Sequence, residues 1–176
     1  MAKRGRKPKN LDKNYFAEKQ ELAVYDYIQF SKIVTNRTRE IIKTVFDWDD
    51  EQLDLMTDAE HSQTIYDLMH LAEEVVLEDK NKAFQISEMK NEIEAARLEM
   101  DKIYNATLRA AFEKMIESII RRYHLYVPDE TFDETFTDTL SFLITKADKY
   151  DPLKGTRAYS YYGNASKNYT SRSEER

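Results

Sequence analysis

Apolar positions along this chain recur at threes and fours, the spacing of helices, and show no sustained two-residue alternation of a strand. Between Tyr15 and about Val45, the positions Leu22, Tyr25, Ile28, Ile33, Ile41, Ile42 and Val45 predict one or two helices. Asp47-Trp48-Asp49-Asp50-Glu51 reads as a link, without the alternating ligands and central glycine of a calcium loop. Thr57-Asp58-Ala59-Glu60 fits a capping box, a hydroxyl at the N-cap and a carboxylate three residues on. The helix it opens would align Ile65, Leu68, Met69, Ala72, Val75 and Val76.

From Ile86 the spacing becomes a heptad seam through Met89, Ile93, Ala96, Met100 and Ile103. The seam is short, which predicts an antiparallel hairpin within the protein in preference to a dimeric coiled coil. Near Asn105 the stripe shifts to Leu108, Phe112, Met115, Ile119 and Tyr123, the entry to a packed core helix. Val127-Pro128 should stop that helix, because proline disfavours helical geometry at the residue before it. The next one starts with acids at its positive end (Asp129, Glu130, Asp133, Glu134) and turns Phe136, Leu140, Leu143, Ile144 and Ala147 inward. Lys149 to Gly155 forms a turn, and a last helix begins at about Arg157.

Composition sharpens this into an all-α fold, a helical bundle with a hairpin or coiled-coil-like central segment. The 176 residues include three glycines and three prolines, and neither type occurs between Pro8 and Pro128. Sheets and barrels need such turn residues far more often. The same scarcity removes glycine-rich phosphate loops, nucleophile elbows and dinucleotide fingerprints. Zero cysteines exclude disulfides and thiolate chemistry. No apolar run is long enough for a membrane span, and the basic N-terminus lacks the apolar segment of a signal peptide, so the expectation is a soluble cytoplasmic protein.

Charge is segregated along the chain. Residues 1–13 hold six bases against Asp12, and residues 145–176 hold seven bases against four acids. With a formal net charge of −6 for the whole, the middle carries about −14. Basic ends suit DNA and an acidic centre suits a basic protein surface, although acidic solvated helices alone would give the same balance. Arg4-Gly5-Arg6 with Lys7-Pro8-Lys9 resembles an AT-hook, whose arginines enter the narrow minor groove of A/T-rich DNA. Lys7 displaces the usual proline after the second arginine. Minor-groove contact by Arg4 and Arg6 and a merely solubilising tail both remain open.

Catalytic constellations are absent from the sequence. His61, His70 and His124 lack ligand spacing, and the acids between Asp129 and Asp138 have no neighbouring nucleophile or phosphate cradle. No metal, cofactor or enzymatic role is expected. Tyrosine is concentrated instead: Tyr150, Tyr159, Tyr161, Tyr162 and Tyr169 interleave with Lys154, Arg157, Lys167 and Asn168. Rings that stack on unpaired bases beside cations that neutralise phosphates make a single-strand platform. An ordinary helix with tyrosines over a core would have the same composition.

The order of residues in Phe132–Tyr169 narrows the field. Lys149-Tyr150-Asp151-Pro152, Lys154-Gly155-Thr156 and Ala158-Tyr159-Ser160-Tyr161-Tyr162 resemble the second conserved region of bacterial RNA polymerase sigma factors. The likeness is greatest to the reduced late-transcription sigma factors of tailed bacteriophages, and it reaches back through Phe112–Tyr123. Residues 1–13 are too polar to bury anything, which predicts a disordered basic tail. The resemblance implies N-terminal and central helices at 14–104, with a candidate insertion among them, and a sigma region 2-like domain at 105–176. By resemblance, Glu134, Thr137, Asp138, Leu140 and Ile144 would dock on the clamp coiled coil of the core polymerase. Tyr159, Tyr161 and Tyr162 would stack on the nontemplate strand of an opened −10 element, with Lys154, Arg157, Lys167 and Asn168 on its backbone. The place of action would be the host bacterial cytoplasm, with or without a phage coactivator.

This sequence departs from the family at Ala165-Ser166, where primary sigma factors carry a tryptophan pair that acts as a wedge. It also shows no helix-turn-helix for a −35 element, and residues from about Ser31 to Ala95 have no counterpart. Two other readings therefore stand beside the initiation factor: a helical DNA-binding adaptor, and a sigma-mimicking polymerase inhibitor.

Overall fold

In the computed structural model, which describes residues 16–56, 62–76, 78–126 and 129–174, every regular element is helical. The order is α1 (Glu18–Phe46), α2 (Asp50–Met56), α3 (Ser62–Val76), α4 (Lys80–Ile103), a π-helical segment (Tyr104–Leu108), α5 (Arg109–Tyr123), α6 (Phe132–Lys146), a 3₁₀ turn (Pro152–Lys154) and α7 (Ala158–Glu174). Among the described residues no helix is long and apolar enough to cross a membrane. Arg4, Arg6, the Thr57–Glu60 box, His61 and Val127-Pro128 lie outside them.

The chain divides into two compact units, one of residues 29–102 and one joining the residues up to Ile28 with Ile103 onward. The segment 14–104 is thus not one region: its first helical turns belong with the C-terminal elements. In the unit of residues 29–102, α1, α3 and α4 share a core of Ile41, Val45, Ala72, Ile86 and Ile93, with Met69 and Met89 against it. The predicted seam of α4 faces inward, and a hairpin is the outcome, since Lys90 of α4 pairs with Glu73 of α3 at 2.8 Å. Ile42, Leu53 and Leu68 form a second cluster that seats the short α2. Only Asp47 to Asp49 serve as the link. Asp47 takes a left-handed φ of 53°, and Asp49 caps α2 by exchanging hydrogen bonds with Gln52.

The other unit buries Val24, Ile28, Leu108, Phe112, Met115, Ile116, Ile120, Leu143, Ala147, Tyr150, Ala158 and Tyr162 in one core. Here the inward stripe of α1 is Val24 and Ile28, and the expected Leu22 faces solvent instead. Tyr25 lies at the margin, 39% exposed, with its side chain hydrogen-bonded to the buried Tyr150. The shift of stripe near Asn105 has a backbone cause. A π-helical segment closes i→i+5 bonds, so Ile103 and Leu108, five residues apart, both reach this core. The α5 helix stops before the proline: His124 adopts left-handed φ 53° and donates its backbone N–H to the Ile120 carbonyl. Thr131 then caps α6 in a capping box with Glu134.

Candidate docking face and cationic turn

Two adjoining features carry the residues singled out by sequence: the outer side of α6, and the turn leading into α7. On α6, Thr135, Thr139 and Leu143 are buried, and Phe132, Phe136 and Leu140 pack at the core margin. The opposite side therefore displays Glu134, Thr137, Asp138 and Ser141 to solvent. Ile144, expected to point inward, lies at the flank of this face with 39% of its surface exposed. Leu140 is the exception among the five predicted docking residues, half-buried against the core. Glu134 already has work within the helix. Its carboxylate accepts from the Thr131 backbone N–H at 2.7 Å and from the Thr131 hydroxyl at 2.8 Å. Those bonds, the backbone one first, hold its pKa below the usual glutamate range.

Antiparallel packing of α6 on α7 fixes the second feature. Tyr162 donates from its hydroxyl to the Ala147 carbonyl at 2.6 Å, and the Thr139 and Thr170 hydroxyls meet at 3.1 Å. Ala158, Tyr162, Ser166 and Thr170, each four residues apart, form the buried stripe of α7. Asp151 organises the turn before it, accepting the Leu153 N–H on its side chain at 2.9 Å and the Lys154 N–H on its carbonyl at 3.2 Å. Gly155 supplies the left-handed φ of 71° that ends the turn. The Tyr150 hydroxyl donates to the Thr156 carbonyl at 2.6 Å and ties the far side down.

The tyrosines do not form the predicted platform. Tyr162 is 0% exposed, its ring 4.9 Å from Phe112, and burial drives its pKa far above the ordinary phenol range. It cannot stack on a nucleotide without leaving the core, so that assignment is withdrawn. Tyr161 is half-buried, 5.6 Å from the Tyr150 ring and 5.1 Å from Tyr162, with its pKa also raised by burial. Tyr159 keeps 37% exposure while its ring lies 5.9 Å from Phe16. Of the three, it is the ring most open to solvent.

The cations and amides fare differently. Lys154 and Arg157 are exposed and form no ion pair among the described residues, and Asn168 is exposed on the outer side of α7. Lys167 is half-buried, its ammonium 4.1 Å from the centre of the Tyr123 ring. Sequence reasoning missed three residues that the fold adds to this surface. Ser160 and Asn164 precede Asn168 at four-residue intervals on one exposed face. Tyr123, counted as a core position, is exposed with Lys167 and Arg122 over its ring. The interval of four was readable; the exposure of Tyr123, at the last turn of α5, was not. Ala165 packs at the margin of the core and Ser166 is fully buried, so neither is displayed where a wedge would stand.

Compared with protein-family models, curated proteins and solved structures, the chain matches none.

Proposed function

We propose that the chain is a sigma-type transcription initiation factor that docks on the clamp coiled coil of a bacterial RNA polymerase and brings it to A/T-rich promoter DNA. The observation that carries this reading is one of order along the chain. The helix whose outward face shows Glu134, Thr137 and Asp138 is followed by a hydrogen-bonded turn whose Lys154 and Arg157 have no ion pair among the described residues, and then by a helix showing Ser160, Asn164 and Asn168. Acids on an exposed helix can form charge-assisted hydrogen bonds with a basic coiled coil. Exposed cations beside amides can hold a nucleic-acid backbone and reach base edges. In this reading the protein performs no covalent chemistry, and the basic segment with Arg4 and Arg6 adds a sequence-tolerant grip on DNA.

Burial of Tyr162 and Tyr161 favours one second reading, in which the chain docks on polymerase and opens nothing. Pull-down of purified bacterial core polymerase tests the docking common to both. Permanganate footprinting of melted thymines on an A/T-rich promoter then separates them, because only an initiation factor yields reactive thymines. Failure to retain core polymerase would leave the DNA-binding adaptor.

A further inference from the structure

Leu153 is 95% exposed, the most exposed large hydrophobic residue described in the protein. A lone exposed leucine on a mobile loop would mean little. This one is held at the tip of a turn whose backbone is fixed on both sides. Its own N–H is bonded to the Asp151 carboxylate, the Lys154 N–H to the Asp151 carbonyl and the Gly155 N–H to the Pro152 carbonyl. Pro152 also restricts the backbone of the tip. Lys154 follows it directly and Arg157 stands three residues beyond Lys154, both exposed and without an ion pair among the described residues. Acids are close too: Asp151 is committed to the turn, and Glu18 and Glu21 line the hollow that also holds Arg157 and Tyr159.

Helix α7, which follows the turn, offers no exposed large aliphatic side chain among its described residues for entering a base stack. Its outer side is Ser160, Asn164, Asn168 and Arg172, and its tyrosines other than Tyr159 are half or fully buried. Apolar side chains such as leucine are the ones that enter and unstack base steps when cations beside them hold the phosphates. We infer that Leu153 is an apolar wedge that enters the base stack at the edge of the opened A/T-rich segment, with Lys154 and Arg157 on the flanking phosphates. Pyrimidine–purine steps such as TA unstack most easily and are its target.

This inference rests on the initiation-factor reading, and the experiment keeps the two apart. Duplex promoter with 2-aminopurine at the TA step is mixed with core polymerase and either the unaltered chain or Leu153→Ala, and fluorescence reports unstacking. Because the side chain touches solvent almost everywhere, the substitution should leave folding unchanged. The expected result is an about tenfold fall in the opened fraction for Leu153→Ala, equivalent to about 1.4 kcal/mol, a part of what unstacking one base step costs. Leu153→Met should restore most of the signal, and a template mismatched at that step should be bound equally by all three chains. Unaltered opening by Leu153→Ala overturns the wedge and leaves the initiation reading standing. Loss of polymerase binding by Leu153→Ala also overturns it, making Leu153 a protein anchor. Absence of opening by the unaltered chain overturns both.

Discussion

The hydroxyl of Tyr162 lies 2.6 Å from the carbonyl oxygen of Ala147, so the first turns of α7 are fastened to the C-terminal end of α6. The bond satisfies a carbonyl that the end of α6 leaves without a helical partner. Tyr162→Phe should therefore lower stability by about 1–2 kcal/mol, read as a lower urea midpoint at unchanged slope. Opening of promoter DNA should be unchanged wherever both proteins are folded. An opening defect under those conditions would return Tyr162 to the nucleic-acid surface.

Farther along the same interface three hydrogen bonds compete for two protons. Thr139 and Thr170 each lie within bonding distance of their own i−4 carbonyl, at 2.7 and 2.9 Å, and of each other at 3.1 Å. Next to them Ser166 is 0% exposed and its hydroxyl has no partner among the described residues. A buried hydroxyl without a partner carries its desolvation cost uncompensated. Ser166→Ala should raise stability by about 1 kcal/mol, visible as a higher melting temperature. A fall instead would mean that the hydroxyl is satisfied in solution.

These cases show why part of the fold was legible from sequence and part was not. The seam from Ile86 to Ile103 could be read because each inward position is apolar at heptad spacing. The register change after Ile103 could only be seen as a break, since nothing in the side chains announces an i→i+5 turn. In α7 the inward stripe includes Ser166 and Thr170, so hydropathy cannot identify it, and Tyr161 and Tyr162 look the same to composition whether buried or displayed. The outer face of α6 was clearer. Thr135 and Thr139 are inward too, but acids at Glu134 and Asp138 mark the solvent side. Leu153 had no periodicity to belong to, and only its surroundings give it meaning.

Cations on the candidate DNA surface should differ in their salt signatures. Removing one phosphate-neutralising side chain should reduce the slope of log affinity against log salt by about 0.7–0.9. Lys154→Ala and Arg157→Ala delete exposed groups with no ion pair among the described residues, so each should show about this full change in titrations of duplex or single-stranded DNA. Lys167 spends part of its charge over the Tyr123 ring at 4.1 Å. Lys167→Ala should change the slope less and also loosen the packing of α7 on α5. Equal slopes for all three variants would contradict this ranking.

Acid should act on α6 through Glu134. Its carboxyl is depressed in the folded protein because the Thr131 backbone and hydroxyl donate to the ionised form. A group with a lowered folded pKa contributes stability above its unfolded value and loses it as pH falls through the folded one. The contribution should thus be complete above the ordinary glutamate value of 4.5 and disappear at lower pH. Glu134→Gln should be less stable than the unaltered protein near neutrality, and the difference should shrink in strong acid. A constant difference across the titration would place the effect elsewhere than the carboxylate.

Glu134 is consequently a poor probe of docking, because its loss also uncaps the helix, whereas Asp138 is exposed one turn later and is not part of the capping box. Asp138→Arg inverts charge in the middle of the face and touches nothing buried. If α6 meets a basic coiled coil, the substitution replaces attraction by repulsion at an interface where like charges cost several kcal/mol. Retention of core polymerase in a pull-down should then be lost, with the helical circular dichroism spectrum unchanged. Ile144→Ala, at the flank of the face, should weaken retention by about tenfold or less, in keeping with a partly exposed apolar contact. Full retention by Asp138→Arg would remove the docking assignment, because no packing defect could be hiding a compensating change at so exposed a position.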